Sequence, residues 1–180
     1  MNRYRCLASI DGGTSAVSAG RGGALPASAT ELGSGAGTAS QSWPLASDVL
    51  PLAALTTAPA CARGHVRSIA HEWGLPEVAD TAELLTSELA TNAVQASERL
   101  RLTADLGSVP VVRLWLLSDR ISLIICVWDG SNEMPVLKEA SADSDGSRGL
   151  MLVDALAKDW GAFREERGKV VWAMITSADP

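Results

Sequence analysis

Residues 83–96 read Glu-Leu-Leu-Thr-Ser-Glu-Leu-Ala-Thr-Asn-Ala-Val-Gln-Ala. At about 100° per residue, this segment predicts an amphipathic helix with a narrow apolar stripe. The stripe consists of Ala82, Leu85, Leu89, Ala93 and Ala96. Asn92 lies only about 20° outside Leu85, and Glu88 about 60° outside it on the same side. A buried amide or carboxylate without partners costs roughly 2–7 kcal/mol. These two side chains therefore predict either a ligand or a structural polar contact.

The segments around this helix predict two further helices and five strands. A strand is expected at 49–55, where Pro51 restricts it to a sheet edge or an irregular start, because proline cannot donate to a strand ladder. The other elements are predicted from apolar periodicity, β-branched content and turn residues. They are helices at 58–73 and 149–157 and strands at 111–117, 121–128, 160–165 and 169–176, and the helix that contains residues 83–96 is predicted to span 78–97.

The order of these elements predicts the fold class. Two helices follow the first strand, a strand hairpin comes next, and a third helix precedes the last two strands. This order predicts helices on one face of a largely antiparallel sheet, an α+β fold of two layers. Glu88 and Asn92 would then point into the gap between the layers, where a ligand could lie.

The N-terminal segment differs from the rest in composition. Residues 11–42 are mostly Gly, Ala, Ser and Thr, with almost no large side chains to bury. Such a segment cannot easily offset the entropy lost on ordering. We therefore predict that residues 1–42 form a flexible N-terminal tail and that residues 43–180 form one domain.

The composition argues against several classes of function. A formal net charge of −6 and a pI near 4.9 argue against non-specific binding to nucleic acid or an anionic membrane, which requires basic patches. No apolar run approaches the roughly 18 residues of a membrane span, and no targeting signal is recognised. Cys6, Cys61 and Cys126 are odd in number and form no C-x-x-C pair, so neither a disulfide framework nor a structural zinc site is indicated. We expect a cytoplasmic protein whose function depends on a specific site.

Asp129 directly follows the apolar run at 121–128, so its carboxylate is expected at the mouth of the interlayer space. An Asp-Gly pair after a strand is also a strong hairpin turn signal. Residues 131–145 contain no convincing partner strand, which weakens the hairpin interpretation. A carboxylate at a pocket floor can accept a hydrogen bond from the exocyclic amino group of a base such as adenine.

The run Asp145-Gly146-Ser147-Arg148-Gly149-Leu150 predicts a flexible glycine segment that leads into a helix. Free backbone N–H groups and the positive end of the helix dipole suit such a junction to phosphate. Glycines before a helix are as often simple loop residues. The run matches neither a Walker P-loop nor a G-x-G-x-x-G fingerprint.

Taken in order, these elements resemble the GHKL (histidine kinase/Hsp90-like) ATPases, and within them the small bacterial anti-sigma-factor serine kinases and their actinobacterial ATP-binding relatives. The likeness runs from about residue 48 to about residue 175. Residues 88–93 resemble the N box, 127–131 the adenine-binding box, 147–154 with 160–161 the segment closing the ATP lid, and 169–172 the last strand. The resemblance implies a two-layer sandwich of the histidine kinase-like (Bergerat) type.

The resemblance also implies a role for each matching residue. Asn92 would hold the Mg²⁺ that bridges the phosphates of ATP, and Glu88 would act as general base on a partner's serine hydroxyl. Asp129 would bind adenine, and residues 130–148 would form the lid. Further nucleotide contacts are implied at Ala96, Ser131, Gly146, Arg148, Gly149 and Leu150. Phosphoryl transfer depends mainly on positioning and charge neutralisation, so such a set of groups can suffice.

The function implied by the resemblance is that of an ATP-dependent protein serine/threonine kinase. Such a protein phosphorylates a serine of a STAS-type anti-anti-sigma protein with Mg-ATP and binds a sigma factor, and the relatives suggest a homodimer.

Three departures from the family pattern leave an alternative open. Ala96 stands where the kinases often have histidine, and Ser131 and Ser147 stand where many relatives have glycine. Val170 replaces a threonine of the last strand and is expected to remove a hydroxyl near the adenine or phosphate. The alternative is a nucleotide-binding partner-switching module that acts by protein binding alone. Glu88 favours the kinase, whereas Ala96 and Val170 favour the module. We prefer the kinase.

Overall fold

A computed structural model describes residues 43–104, 108–137, 145–165 and 167–177. These residues form an α+β fold of two layers, in which three α-helices cover one face of a six-stranded sheet. The predicted α+β class with a largely antiparallel sheet is therefore confirmed. The predicted tail at 1–42 lies outside the described residues, and no helix among those described is long and apolar enough to cross a membrane.

The strands pair in the order β1-β3-β4-β6-β5, and β2 also pairs with β3. All of these pairings are antiparallel. The strands are β1 (Leu45–Ala46), β2 (Leu50–Ala53), β3 (Val111–Ser118), β4 (Ser122–Asp129), β5 (Asp159–Glu165) and β6 (Gly168–Thr176). Because β4 and β6 are neighbours and antiparallel, the end of β4 lies beside the start of β6.

Pro51 lies in β2 opposite Arg113 of β3, at the edge of the sheet, as its missing N–H requires. The two-residue strand β1 was not predicted, because two residues are too short to show any period.

The predicted hairpin of β3 and β4 is present, and hydrogen bonds from side chains close its turn. Ser118 Oγ donates to the Ser122 carbonyl oxygen at 2.7 Å, and Asp119 Oδ1 accepts from the Ser122 N–H at 2.5 Å.

The helices are α1 (Ala58–Glu72), α2 (Ala79–Ala104) and α3 (Asp145–Leu156), with a short 3₁₀ helix at Pro76–Val78 before α2. Helix α1 ends as predicted. Gly74 follows with φ +75°, and the Leu75 N–H returns to the Ala70 carbonyl oxygen at 2.8 Å, which is a glycine-terminated C-cap.

Two predicted helix boundaries were wrong. Helix α2 continues past residue 97 to Ala104, because residues 98–104 contain no glycine or proline and Arg101 donates to both carboxylate oxygens of Glu98 at 2.9 and 2.7 Å. Helix α3 begins at Asp145 rather than at residue 149, so the glycine segment expected to be a loop forms its first turn.

The sheet is apolar on both faces. Its helix-facing side packs against the apolar stripes of α1, α2 and α3. The opposite side, called here the far face, carries a cluster built around Ile124, Cys126, Val170, Trp172 and Met174, bordered by Trp43, Trp115, Leu117, Trp128 and Phe163. The central strands β4 and β6 are therefore buried on both sides, which explains their nearly continuous apolar sequences.

Candidate functional site

A cleft with a cavity of about 260 Å³ lies between the helical layer and one end of the sheet. Five parts of the chain line it, namely α2, the end of β4, the segment after β4, the start of α3 and the start of β6. They contribute Asn92, Asp129, Glu133, Leu150 and Lys169 respectively, among others. The sheet order explains this assembly, because it brings the end of β4 and the start of β6 together beneath α2.

Helix α2 presents Asn92, Ala96 and Arg99 to the cavity at helical spacing. Ala96 is buried and has no polar side-chain atom, so it forms part of the wall and offers no hydrogen bond. Arg99 lies one turn further along, more than half exposed, and pairs with Glu133 at 3.6 Å. The extension of α2 beyond its predicted end thus carries a guanidinium to the mouth of the cleft.

Asn92 lies where α2 meets α3. Its Nδ2 atom is buried and has no hydrogen-bond partner within the described part of the chain. Leaving a buried amide donor unpaired costs roughly 1–3 kcal/mol. The amide contributes little to stability in this state, and it lines a cavity that a polar ligand can enter.

Glu88, one turn before Asn92, is half-buried and does not belong to the cavity lining that contains Asn92. Its carboxylate lies against Gly149 of α3, where a Cβ atom would stand 2.5 Å from Glu88 Oε2 and 3.6 Å from Asn92 Nδ2. Gly149 therefore allows α3 to approach both polar residues of α2. Leu150 follows it, buried, in the wall of the cavity.

Asp129 is almost fully buried at the cavity floor and accepts two hydrogen bonds on one oxygen. Lys169 Nζ and the Ser131 N–H both donate to its Oδ1, each at 2.8 Å. Burial raises the pKa of the Asp129 carboxyl above its ordinary value, although Lys169, the Ser131 N–H and Arg99 favour the ionised form and act in the opposite direction. A partly desolvated carboxylate facing a cavity is a common feature of functional sites.

Lys169 was not predicted as a site residue. It is the second residue of β6 and lies directly opposite Asp129, and only 6% of its side chain is exposed. Gly168 makes this approach possible, because its φ of +128° is unfavourable for other residues and a Cβ there would lie 2.1 Å from the Asp129 carbonyl oxygen. The available signal in the sequence was a lysine near the start of an otherwise apolar strand. This signal points to the site only when β6 is known to pair with β4, because that pairing places Lys169 opposite Asp129.

The segment predicted as a lid, 130–148, divides into three parts. Residues 130–137 are irregular, residues 138–144 lie outside the described residues, and residues 145–148 are helical. Ser131 Oγ accepts the Glu133 N–H at 3.1 Å, and Arg164 donates to the Asn132 carbonyl oxygen at 2.8 Å, so the first part is tied to the sheet.

Gly146 and Arg148, expected in a loop, belong to the first turn of α3, and that prediction was wrong. Their backbone N–H groups remain among the four that an α-helix leaves without intrahelical partners. Ser131 is buried and supports Asp129 through its N–H, and it is not among the residues that line the cavity.

Val170 was expected to stand near the adenine or phosphate, and that expectation was wrong. Its side chain is fully buried in the cluster on the far face of the sheet. Strand alternation turns Lys169 and Val171 toward the cleft instead. The valine therefore removes no hydroxyl from the cleft.

The polar groups of the cleft can be tested for their fit to Mg²⁺. No group of three or more His, Cys, Asp or Glu side chains able to hold a metal occurs among the described residues. Mg²⁺ commonly takes only one or two protein ligands and keeps its remaining positions for water and substrate phosphates. Asn92 and the nearby Glu88 carry side-chain oxygens of the kind this ion prefers, whereas the unpaired Nδ2 of Asn92 is a donor suited to a phosphate oxygen, so the residues fit Mg²⁺ bound together with a phosphate ligand.

A scan against protein-family models finds no family that matches this chain, and a search of curated proteins finds no match either.

Proposed function

We propose that this chain is an ATP-binding regulatory protein of the anti-sigma-factor type, with the histidine kinase-like (Bergerat) version of its two-layer fold. In this proposal it is a protein serine/threonine kinase that phosphorylates a serine of a partner anti-anti-sigma protein with Mg-ATP. By the same resemblance its partners are a sigma factor and a STAS-type protein, it forms a homodimer, and it acts in the cytoplasm.

One observation carries the proposal. Asn92 and Asp129, predicted from separate stretches of sequence, line the same cavity from opposite layers. A carboxylate on the floor, apolar walls that include Leu89, Val127 and Leu150, and an unpaired amide on the helical side suit a ligand with a flat polar base and charged groups.

The residues divide the work of phosphoryl transfer as follows. Asp129 would accept a hydrogen bond from the amino group of adenine, and Asn92 would hold Mg²⁺ through its amide oxygen. Bound Mg²⁺ supplies positive charge that neutralises phosphate oxygens. Glu88, half-buried between α2 and α3, takes the proton from the serine hydroxyl of the partner.

The alternative is a nucleotide-binding module that acts by protein binding alone. Two observations favour it. Ala96 gives the cleft no polar atom at a position where the kinases often have histidine, and Glu88 lies against Gly149 rather than in the cavity lining. Val170 no longer supports this alternative, because its side chain is on the far face.

The first test is the Mg²⁺-dependent binding of ATP, measured by titration calorimetry on the full chain. We expect saturable binding by the wild type and its loss in Asp129→Asn, because the replacement amide also carries donors that oppose the amino group of adenine. Asp48→Asn removes an exposed carboxylate outside the cleft and serves as the matched control. Equal ATP affinity in Asp129→Asn and wild type would contradict the assignment of Asp129.

The second test separates the kinase from the module. Glu88→Gln should retain ATP binding and lose the transfer of labelled phosphate to a serine of a STAS-type protein. Wild-type protein that binds ATP and transfers no phosphate to such partners supports the module. Phosphate transfer by Glu88→Gln at the wild-type rate would contradict the assignment of Glu88 as the general base.

A further inference from the structure

The pair formed by Asp129 and Lys169 is unusual in its burial. Only 2% and 6% of the two side chains are exposed, and the ammonium and carboxylate are 2.8 Å apart. A buried ion pair repays its desolvation poorly, and a well-packed apolar pair of similar volume is often at least as stable. Stability alone therefore gives a weak reason for a lysine at the floor of a cavity.

The hydrogen bonds to the Asp129 carboxylate are unevenly distributed between its two oxygens. Lys169 Nζ and the Ser131 N–H both end on Asp129 Oδ1, and a carboxylate oxygen has room for about two donors. Within the described residues the structure gives no donor to Oδ2. Asp129 lines the cavity, so Oδ2 is the oxygen available to a ligand.

We propose that Lys169 is a specificity-determining residue of the cleft. By occupying Oδ1 it leaves Asp129 one acceptor oxygen, which selects a base presenting a single donor over a base presenting two adjacent donors. This inference rests on the proposed function, because it concerns the base of the nucleotide that the cleft binds.

The chemistry of purines defines the discrimination. Adenine offers the N6 amino group, and hypoxanthine offers N1–H, so each can satisfy Oδ2 with one donor. Guanine offers N1–H and the 2-amino group side by side, a pattern that requires both oxygens of a carboxylate. With Oδ1 already saturated, one guanine donor stays buried without a full partner, which costs roughly 5- to 150-fold in affinity.

Lys169 also acts on the charge of Asp129. The charged groups that face this carboxylate are Lys169 from β6 and Arg99 from α2, and Glu133, from the segment after β4, pairs with Arg99. The ammonium of Lys169 is the nearest of them and counteracts the burial that raises the pKa of Asp129. Removing the ammonium should raise that pKa further, so the carboxyl would lose its acceptor charge at a higher pH.

The first experiment needs only the wild-type chain. The affinities of Mg-ATP, Mg-ITP and Mg-GTP are measured by calorimetry. We expect GTP to bind at least about fivefold more weakly than ITP, because the two bases differ only in the 2-amino group. GTP affinity equal to or greater than that of ITP shows that both carboxylate oxygens accept, and it overturns the inference.

The second experiment changes the residue. In Lys169→Met the ratio of ITP to GTP affinity should fall toward one, because Oδ1 is released. The pH at which ATP affinity is half its maximum should move upward. Lys169→Arg restores the charge and donors and should recover the pH profile, whereas Lys158→Met removes an exposed lysine outside the cleft and should change neither readout.

The outcomes separate this inference from the proposed function. Failure of the wild type to bind any of the three nucleotides refutes the proposed function, and the inference with it. Binding of ATP by the wild type, with an unchanged ITP-to-GTP ratio and pH profile in folded Lys169→Met, refutes only the role of Lys169. Should Lys169→Met fail to fold, the comparison of GTP with ITP in the wild type decides the matter.

Discussion

Glu88 Oε2 lies 2.5 Å from the position that a Cβ atom on Gly149 would occupy, so the helices α2 and α3 meet at a point where only glycine leaves the carboxylate in place. The residue proposed as base is therefore positioned by the absence of a side chain on the neighbouring helix.

Gly149→Ala should stabilise the protein less than Gly64→Ala does. Both glycines lie within helices, where alanine gains roughly 0.5–1 kcal/mol, and a Cβ at Gly64 meets nothing within 4 Å. At Gly149 the gain is offset because the Glu88 carboxylate must leave its half-buried place. Urea unfolding gives the change in unfolding free energy for each variant. We expect the gain from Gly149→Ala to be smaller than the gain from Gly64→Ala by about 1 kcal/mol, and this difference is called the shortfall.

The same pair can be tested with a double-mutant cycle. In a Glu88→Ala background the shortfall at Gly149 should disappear, since the obstructing oxygen is gone. A gain at Gly149 equal to that at Gly64 in the wild-type background would show that Glu88 is not held by this contact.

Gly168→Ala should be strongly destabilising. Its φ is +128°, and the new Cβ would meet the Asp129 carbonyl oxygen at 2.1 Å, a backbone atom that cannot rotate away. Gly74→Ala is the matched control, because that residue has φ +75° and open space around it. By chemical denaturation we expect Gly74→Ala to lower the free energy of unfolding by about 1 kcal/mol. Gly168→Ala should lower it by at least about 2 kcal/mol more. Similar losses at the two positions would contradict the close approach of β6 to Asp129.

The stability of the wild type should fall, relative to Asp129→Asn, as the pH rises from about 4. Burial raises the pKa of Asp129 in the folded state, so between the unfolded and folded values the folded chain holds the extra proton. The contribution of this proton to the stability of the folded state is complete below the pKa of Asp129 in the unfolded chain. It is lost as the pH rises through the pKa of Asp129 in the folded chain. Urea unfolding of both proteins across this range measures the difference. A difference that grows in favour of the wild type with rising pH would mean that the ion pair outweighs burial.

Trp160→Phe should lower the free energy of unfolding by about 1 kcal/mol more than Trp172→Phe does. Both indoles are fully buried, so the loss of volume is comparable. Trp160 Nε1 donates to Asp154 Oδ1 at 2.9 Å, whereas Trp172 Nε1 has no hydrogen-bond partner in the described part of the chain. Thermal or urea unfolding of the two variants gives the comparison, and a larger loss at Trp172 would indicate an acceptor on the far face.

The α+β class and the central elements could be predicted from the sequence because their signals are local. The stripe that contains Leu85 and Leu89 has a clear helical period, and β3 and β4 are joined by a short polar turn. The placement of Asn92 beside the interlayer space followed from that period alone. Asp129 could be proposed because it ends an apolar strand.

What could not be predicted depends on pairing between distant segments. Lys169 meets Asp129 only because β6 is the neighbour of β4 in a particular register, and a one-residue shift would exchange it with Val170. The same register sends Val170 to the far face. The start of α3 was misjudged because Gly146 was taken to indicate a loop before the helix, whereas residues 145–148 form its first turn.

The far face has a practical consequence for spectroscopy. Four of the six tryptophans, Trp43, Trp115, Trp128 and Trp172, gather there, on the side of the sheet turned away from the cleft. Most of the indoles thus lie away from the cavity lining, so we expect intrinsic fluorescence to report the integrity of the sheet more than the occupancy of the cleft. The proposed nucleotide binding is better followed with a dye-labelled nucleotide or by calorimetry, and the emission of the chain itself becomes an independent check that each variant has folded.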